Sequence, residues 1–306
     1  LAAGSTSAIV FTIRRWRDQG VVDHQKNSNT VPSVMSNNDQ FAALVLAADR
    51  GSQDSVARYA GTVCKAYAPV CGKPMVIRVL DALNDCHKIK SALLCGPSES
   101  LLSACEELEQ RIDTRQVDWV ENLDSPARSA AHGLSRIDSQ QPVLLTTADH
   151  ALLTSEIVEY FLQVSSNLEC DAVVGVIRYE TLQARYGDTR RTVIRLQDGN
   201  FCGCNLFAFN NARGRTLVDF WQQAEALRKR PWKLISRVLG WQAVWSYLLG
   251  RLTLDQALQK ISGKTDVRVC PVILPFPDAG IDVDKVEDLQ LVESILIRSG
   301  STRPLM

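Results

Sequence analysis

The stretch "ALVLAADRGSQDSVARYAGTVCKAYAPVCGKPMVIRVL", residues 43–80, decides how this chain reads. It opens on an unbroken apolar run, the pattern of a strand buried on both faces of a sheet. A polar loop follows, with glycines and two lysines, Lys65 and Lys73. Pro74 then opens an amphipathic segment whose Val76, Val79, Leu80 and Leu83 share one helical face. Strand, loop and helix in this order suggest a loop whose backbone N–H groups and lysines handle phosphate. It is not a Walker loop, since GxxxxGK[ST] is absent, and it is not GxGxxG. Asp49 stands where a first loop glycine is expected. Its charge opposes a triphosphate unless Arg50 or Arg58 pairs with it.

The same alternation continues along the chain. Apolar runs at 42–47, 91–95, 116–120, 142–147 and 171–177 read as buried strands, and 74–85, 98–112 and 154–165 read as amphipathic helices. The fold class is therefore α/β, with a mostly parallel, doubly wound sheet. In "RRTVIRLQDGNFCGCNLFAFN" (190–210), Asp198-Gly199 marks a hairpin. Residues 212–262 read as a helical insert with four tryptophans and the basic run "RKRPWK" (228–233). Apolar stripes at helical spacing usually mean packing. Two sharper readings of 228–251 are a membrane-surface contact through a basic, aromatic face and a homodimer contact. A strand at 267–274 precedes a closing helix.

The bulk composition narrows the function. The chain has 306 residues, 34 basic and 34 acidic, so no net field favours nucleic acid. No apolar run is long enough to span a bilayer. Nine cysteines occur without a CxxC pair, which predicts reduced thiols in a cytoplasmic protein. Residues 1–40 are expected to be a disordered or non-native extension, with Met35 as the candidate start and 41–306 as a single domain.

Ligands of open α/β sheets bind beyond the C-terminal ends of the strands, so the residues there matter most. Asp149 follows the strand at 142–147. A carboxylate at such a buried edge needs a partner or a cation, and Mg²⁺ takes one or two carboxylates plus substrate phosphates. The ordinary alternative is a turn or capping aspartate. Asp282 and Asp284 lie at the last strand–helix junction. They could supply a second metal carboxylate, or Asp284 could cap the helix. His150, with no partner in the sequence, reads as a polar neighbour.

These features together resemble the MobA-like nucleotidyltransferases, sugar-nucleotide and cofactor nucleotidylyltransferases with a GT-A-type sheet. The resemblance rests on "LVLAADRGS", the downstream lysines with "GKP", "SPARSAAHGL" (125–134), "TTAD" (146–149) and "IDVDKVEDL" (281–289), in family order. It implies that Ala47, Ala48, Arg50, Gly51 and Ser52 wrap a triphosphate and that Ser129 helps seat the base. Lys65 and Lys73 would be the catalytic lysines, and Asp149 and Asp284 would hold Mg²⁺. It implies Mg-dependent transfer of NMP from an NTP to a phosphorylated small-molecule acceptor. The alternatives are a non-catalytic nucleotide- or partner-binding member, or a GT-A glycosyltransferase. The chain departs from the pattern at Asp49, in the length between Gly51 and Lys65, and at Ala151, where a proline is common.

Overall fold

The computed structural model describes residues 40–47, 53–187, 189, 191–226, 246–247 and 249–300. Ala48, Asp49, Arg50, Gly51 and Ser52 therefore lie outside the described residues, as do the extension at 1–39 and most of 228–251.

The first strand, β1 (Phe41–Leu46), is buried along its whole length, as its apolar run requires. Helix α1 (Ser55–Ala60) starts where the Asp54 carboxylate accepts the amides of Val56 and Ala57, at 2.9 and 3.2 Å. It ends at Gly61, whose φ of 66° is the left-handed conformation that suits a helix C-terminus. A short hairpin, β2 (Pro69–Val70) and β3 (Lys73–Pro74), leads into α2 (Met75–Asn84). That helix buries Val76, Val79, Leu80 and Leu83, the face expected from the sequence. Each such aliphatic side chain contributes about 1.5–3 kcal/mol.

Next come β4 (Ile89–Cys95), α3 (Glu106–Asp113), β5 (Asp118–Val120), α4 (Pro126–Leu134), β6 (Val143–Thr147) and α5 (Ser155–Asn167). The Thr154 hydroxyl caps α5 by accepting the amide of Ile157. The helix expected at 98–112 is divided. A 3₁₀ turn, Glu99–Ala104, stops at Cys105, whose backbone is extended and whose side chain is buried, and α3 begins after it. The strand expected at 116–120 starts later, because the amides of Gln116 and Val117 close the end of α3 on the carbonyl of Arg111.

The second half holds β7 (Ala172–Arg178), α6 (Tyr179–Tyr186), β8 (Ile194–Leu196) and β9 (Gly199–Phe209). It continues with α7 (Ala212–Arg215), α8 (Leu217–Ala226), α9 (Leu254–Thr265), β10 (Val269–Ile273) and α10 (Val286–Arg298). The predicted β8–β9 hairpin is present, with Gln197 and Asp198 as its turn and Gly199 already paired to Leu196. The described ends of the insert pack on the sheet: Val218, Trp221, Leu254 and Leu258 join one buried cluster with Leu44, Val143 and Phe209. No helix among the described residues is long and apolar enough to cross a membrane.

The strand order is β10-β7-β9-β6-β1-β4-β5, with β8 paired to β9. All neighbours are parallel except those of β9, which runs antiparallel to β6, β7 and β8. From β1 the chain passes to β4 on one side, while β6 opens the other half. Strands β1 and β6 thus flank the switch point where open α/β sheets bind their ligands.

One expectation fails. Cys170 and Cys270 form a disulfide, with Cα atoms 6.1 Å apart, so the cysteines are not all reduced. The cause is topological: parallel pairing of β7 with β10 brings together residues 100 apart in sequence. The remaining seven cysteines form no disulfide.

Candidate functional site

At the switch point, the Ala47 amide donates to the carbonyl of Cys95 and the Ala148 amide to that of Leu46. The chain ends of β1, β4 and β6 are thereby tied together. Gly96, with φ of 90°, lies so close to β1 that a Cβ there would sit 2.3 Å from the carbonyl oxygen of Ala47. Only glycine permits that approach.

Lys65 is the centre of the site. It sits in a single 3₁₀ turn, Lys65–Tyr67, and reaches over the end of β6. Its ammonium donates to Asp149 Oδ2 at 2.6 Å and to Asp284 Oδ1 at 3.2 Å. The three side chains are 13%, 11% and 22% exposed. Burial works against the lysine's charge, but the two carboxylates outweigh it and hold its pKa above the usual lysine range. Burial likewise opposes the charge on Asp149, yet Lys65 and the hydroxyl of Thr147, donating to Oδ1 at 2.5 Å, keep its carboxyl below the usual range.

Asp284 is carried by an extended segment laid against β6, in which the Val283 amide donates to the carbonyl of Asp149 at 3.0 Å. Asp288 Oδ2 accepts the amides of Asp284 and Lys285, at 3.1 and 3.0 Å. The capping carboxylate of α10 is therefore Asp288, which leaves the Asp284 side chain free to face Lys65. Asp282 is drawn elsewhere: its carboxylate accepts from Arg191 Nη1 at 2.6 Å and from Asn205 Nδ2 at 3.0 Å. Burial, together with the neighbouring Asp284, pushes its carboxyl up to about 7 in spite of Arg191. Asn205 is aimed by a bulge, where β9 adopts φ of 50° opposite a register shift in β7.

The other predicted residues separate from this cluster. The Lys73 ammonium pairs with Asp81, which also accepts from Arg111 Nη2 at 2.7 Å. The Ser129 hydroxyl accepts the Leu123 amide at 2.9 Å and so closes the loop entering α4. That loop stands beside Gly96, at the edge of the same sheet end. His150 is buried, and burial lowers its pKa to about 4. It is a neutral core histidine at neutral pH.

The two carboxylate oxygens that meet at one cation, Lys65 Nζ, fit a divalent metal that takes two protein carboxylates and completes its shell with phosphate and water. Among the described residues, no group of three His, Cys, Asp or Glu side chains is arranged to hold a metal. The protein would supply two ligands, as expected for Mg²⁺ bound with a substrate.

The sequence matches the MobA-like NTP transferase domain over residues 43–268, most of the chain. The chain belongs to the MobA-like NTP transferase family. It is a nucleotidyltransferase-type enzyme, and the predicted fold class holds. Among solved structures it is similar to a hypothetical transferase from Thermus thermophilus, with 30% identity and a TM-score of 0.67 over 82% of this chain and 99% of that one. It also resembles a CMP:2-keto-3-deoxy-manno-octonic acid synthetase complexed with CTP, at 11% identity and a TM-score of 0.52, over 85% of this chain and all of that one. A 4-diphosphocytidyl-2C-methyl-D-erythritol synthase shares the fold at 13% identity and a TM-score of 0.50, over 84% of this chain and 98% of that one. No curated protein sequence matches the chain.

The family placement makes the residues missed by sequence reading more informative. Thr147 was legible in "TTAD", two residues before Asp149. Asn205 interrupts an apolar strand, a weak signal of a bulge. Arg191 lies in a polar loop and carried no sequence signal.

Proposed function

We propose that this MobA-like NTP transferase moves NMP from an NTP to a phosphorylated small-molecule acceptor, with Mg²⁺ as cofactor and release of pyrophosphate. The observation that carries this reading is the convergence of Asp149 and Asp284 on the Lys65 ammonium. An oxygen of the acceptor's phosphate attacks the α-phosphorus in line. The bond from the α-phosphorus to the bridging oxygen breaks, and pyrophosphate leaves. The attacking oxygen is already ionised at neutral pH, so the step needs no protein nucleophile or base. It needs positioning and charge neutralisation.

Lys65 supplies positive charge to the phosphates, and Asp149 and Asp284 would hold the metal. Mg²⁺ bound there would neutralise phosphate charge and orient the triphosphate. Gly96 and the α4 loop held by Ser129 form the adjoining wall, suited to the base. Lys73, bound to Asp81, is assigned to bracing the β3–α2 junction.

The test is a pyrophosphate-release screen of four NTPs against a panel of sugar, polyol, choline and pterin phosphates, with Asp149→Ala as control. Release with one pair, abolished in Asp149→Ala, supports the reading. No release with any pair supports a binding-only member, and release unchanged in Asp149→Ala refutes the metal assignment.

A further inference from the structure

Arg191 lies in the loop between α6 and β8, and its side chain is 7% exposed. Its Nη1 donates both to the Asp282 carboxylate, at 2.6 Å, and to the Asp282 carbonyl, at 2.8 Å. Its Nη2 lies 3.1 Å from Asp288 Oδ1. Asp288 turns its other oxygen to the amides of Asp284 and Lys285. Arg191 therefore grips the residue two before Asp284 and, through Asp288, the backbone of Asp284 itself. On the far side, the Val283 amide is tied to the carbonyl of Asp149. The segment 282–284 is held on both flanks, and the one side chain it presents to Lys65 is that of Asp284.

We propose that Arg191 is a positioning residue: a guanidinium clamp that sets the Asp284 carboxylate against Lys65 and Asp149. This rests on the reading of that cluster as the transfer site. A guanidinium suits the role because its planar fork reaches a carboxylate, a carbonyl and a second carboxylate together. A lysine keeps the charge but is a point donor and cannot span all three. Misplacing a catalytic group by about 1 Å costs on the order of a hundred-fold in rate, so a clamp on the residue two before Asp284 has a kinetic consequence. The simpler alternative is that Arg191 only neutralises Asp282 and Asp288, in which case any cation in its place suffices.

The experiment uses Arg191→Lys, because Arg191→Met leaves two half-buried carboxylates without a counter-charge and risks the fold. Three quantities are measured on the full chain: thermal midpoint, kcat and KM for the NTP, and amide exchange of the peptide spanning 281–289. The clamp predicts a folded variant with kcat reduced about ten-fold or more, NTP KM within about three-fold, and 281–289 exchanging about ten-fold faster, the signature of lost placement without lost substrate binding. A folded Arg191→Lys with wild-type kcat overturns the proposal, and so does unchanged exchange of 281–289. Should the wild type transfer no nucleotide at all, the proposed function fails, while the exchange measurement still decides whether Arg191 holds the segment.

Discussion

The two ends of the sheet present opposite solutions to carrying charge. At the C-terminal ends of β1 and β6, Lys65, Asp149 and Asp284 are mostly buried and share one small volume. At the opposite end lies an open cavity of about 720 Å³, lined by Asp171, Arg213, Asp266 and Arg268 among others. There the charges pair with near neighbours and all but Asp171 stay in water: Arg213 with Asp171 and Asp266, and Arg268 with Glu169. The side chains of Asp266 and Glu169 are 94% and 97% exposed. That hollow is thus cheap electrostatically. On the proposed reading, the site that handles phosphate is marked by buried charge that is costly to maintain.

That contrast breaks most easily at Asp149. Asp149→Ala should lower pyrophosphate release by roughly a hundred- to a thousand-fold, the scale of losing a group that stabilises the transition state. Equal loss on neutralising Asp266 would erase the distinction between the two ends.

The opposite end should matter for stability instead. The Cys170–Cys270 disulfide closes a long loop between β7 and β10. Replacing both cysteines with serine should cost about 2–4 kcal/mol in denaturant unfolding, with turnover of the folded enzyme unchanged.

A third prediction concerns a thiol beside the candidate site. Burial pushes the Cys95 pKa up to about 11, with its S–H donating to the carbonyl of Ser129. A raised thiol pKa means less thiolate at any pH below it. At pH 8, native Cys95 should therefore react with iodoacetamide on the order of a hundred-fold more slowly than in the unfolded chain, as mapped by peptide mass. The smallest effect is expected from Arg213→Ala. Its ion pairs are largely solvent-exposed, so unfolding stability should change by about 1 kcal/mol or less and activity not at all.

The same contrast explains what the sequence disclosed. Strands β1, β4, β6 and β7 were legible because a parallel sheet buried on both faces leaves continuous apolar runs. Lys65, Asp149 and Asp284 were named from their place after strands and from family order, and the structure brings the three together. Lys73 was named beside Lys65, but its ammonium goes to Asp81, and nothing in "GKP" specifies a partner eight residues along the chain. Ser129 was named for seating a base, and in the structure its hydroxyl serves the backbone of Leu123. Arg191 and the disulfide were illegible for one reason: each depends on segments far apart in sequence that only the sheet order brings together. The antiparallel β9, inserted between β6 and β7, is such a rearrangement, since alternation alone predicts neighbours in a parallel sheet.

The central claim is that nucleotide transfer belongs to the buried cluster, and one comparison addresses it directly. With the NTP and acceptor found by the screen, pyrophosphate release is measured for Asp284→Asn and for Asp266→Asn, each matched in shape to the wild type. The account predicts that release collapses by about a hundred-fold or more in Asp284→Asn and persists in Asp266→Asn. Full activity in a folded Asp284→Asn enzyme would contradict it.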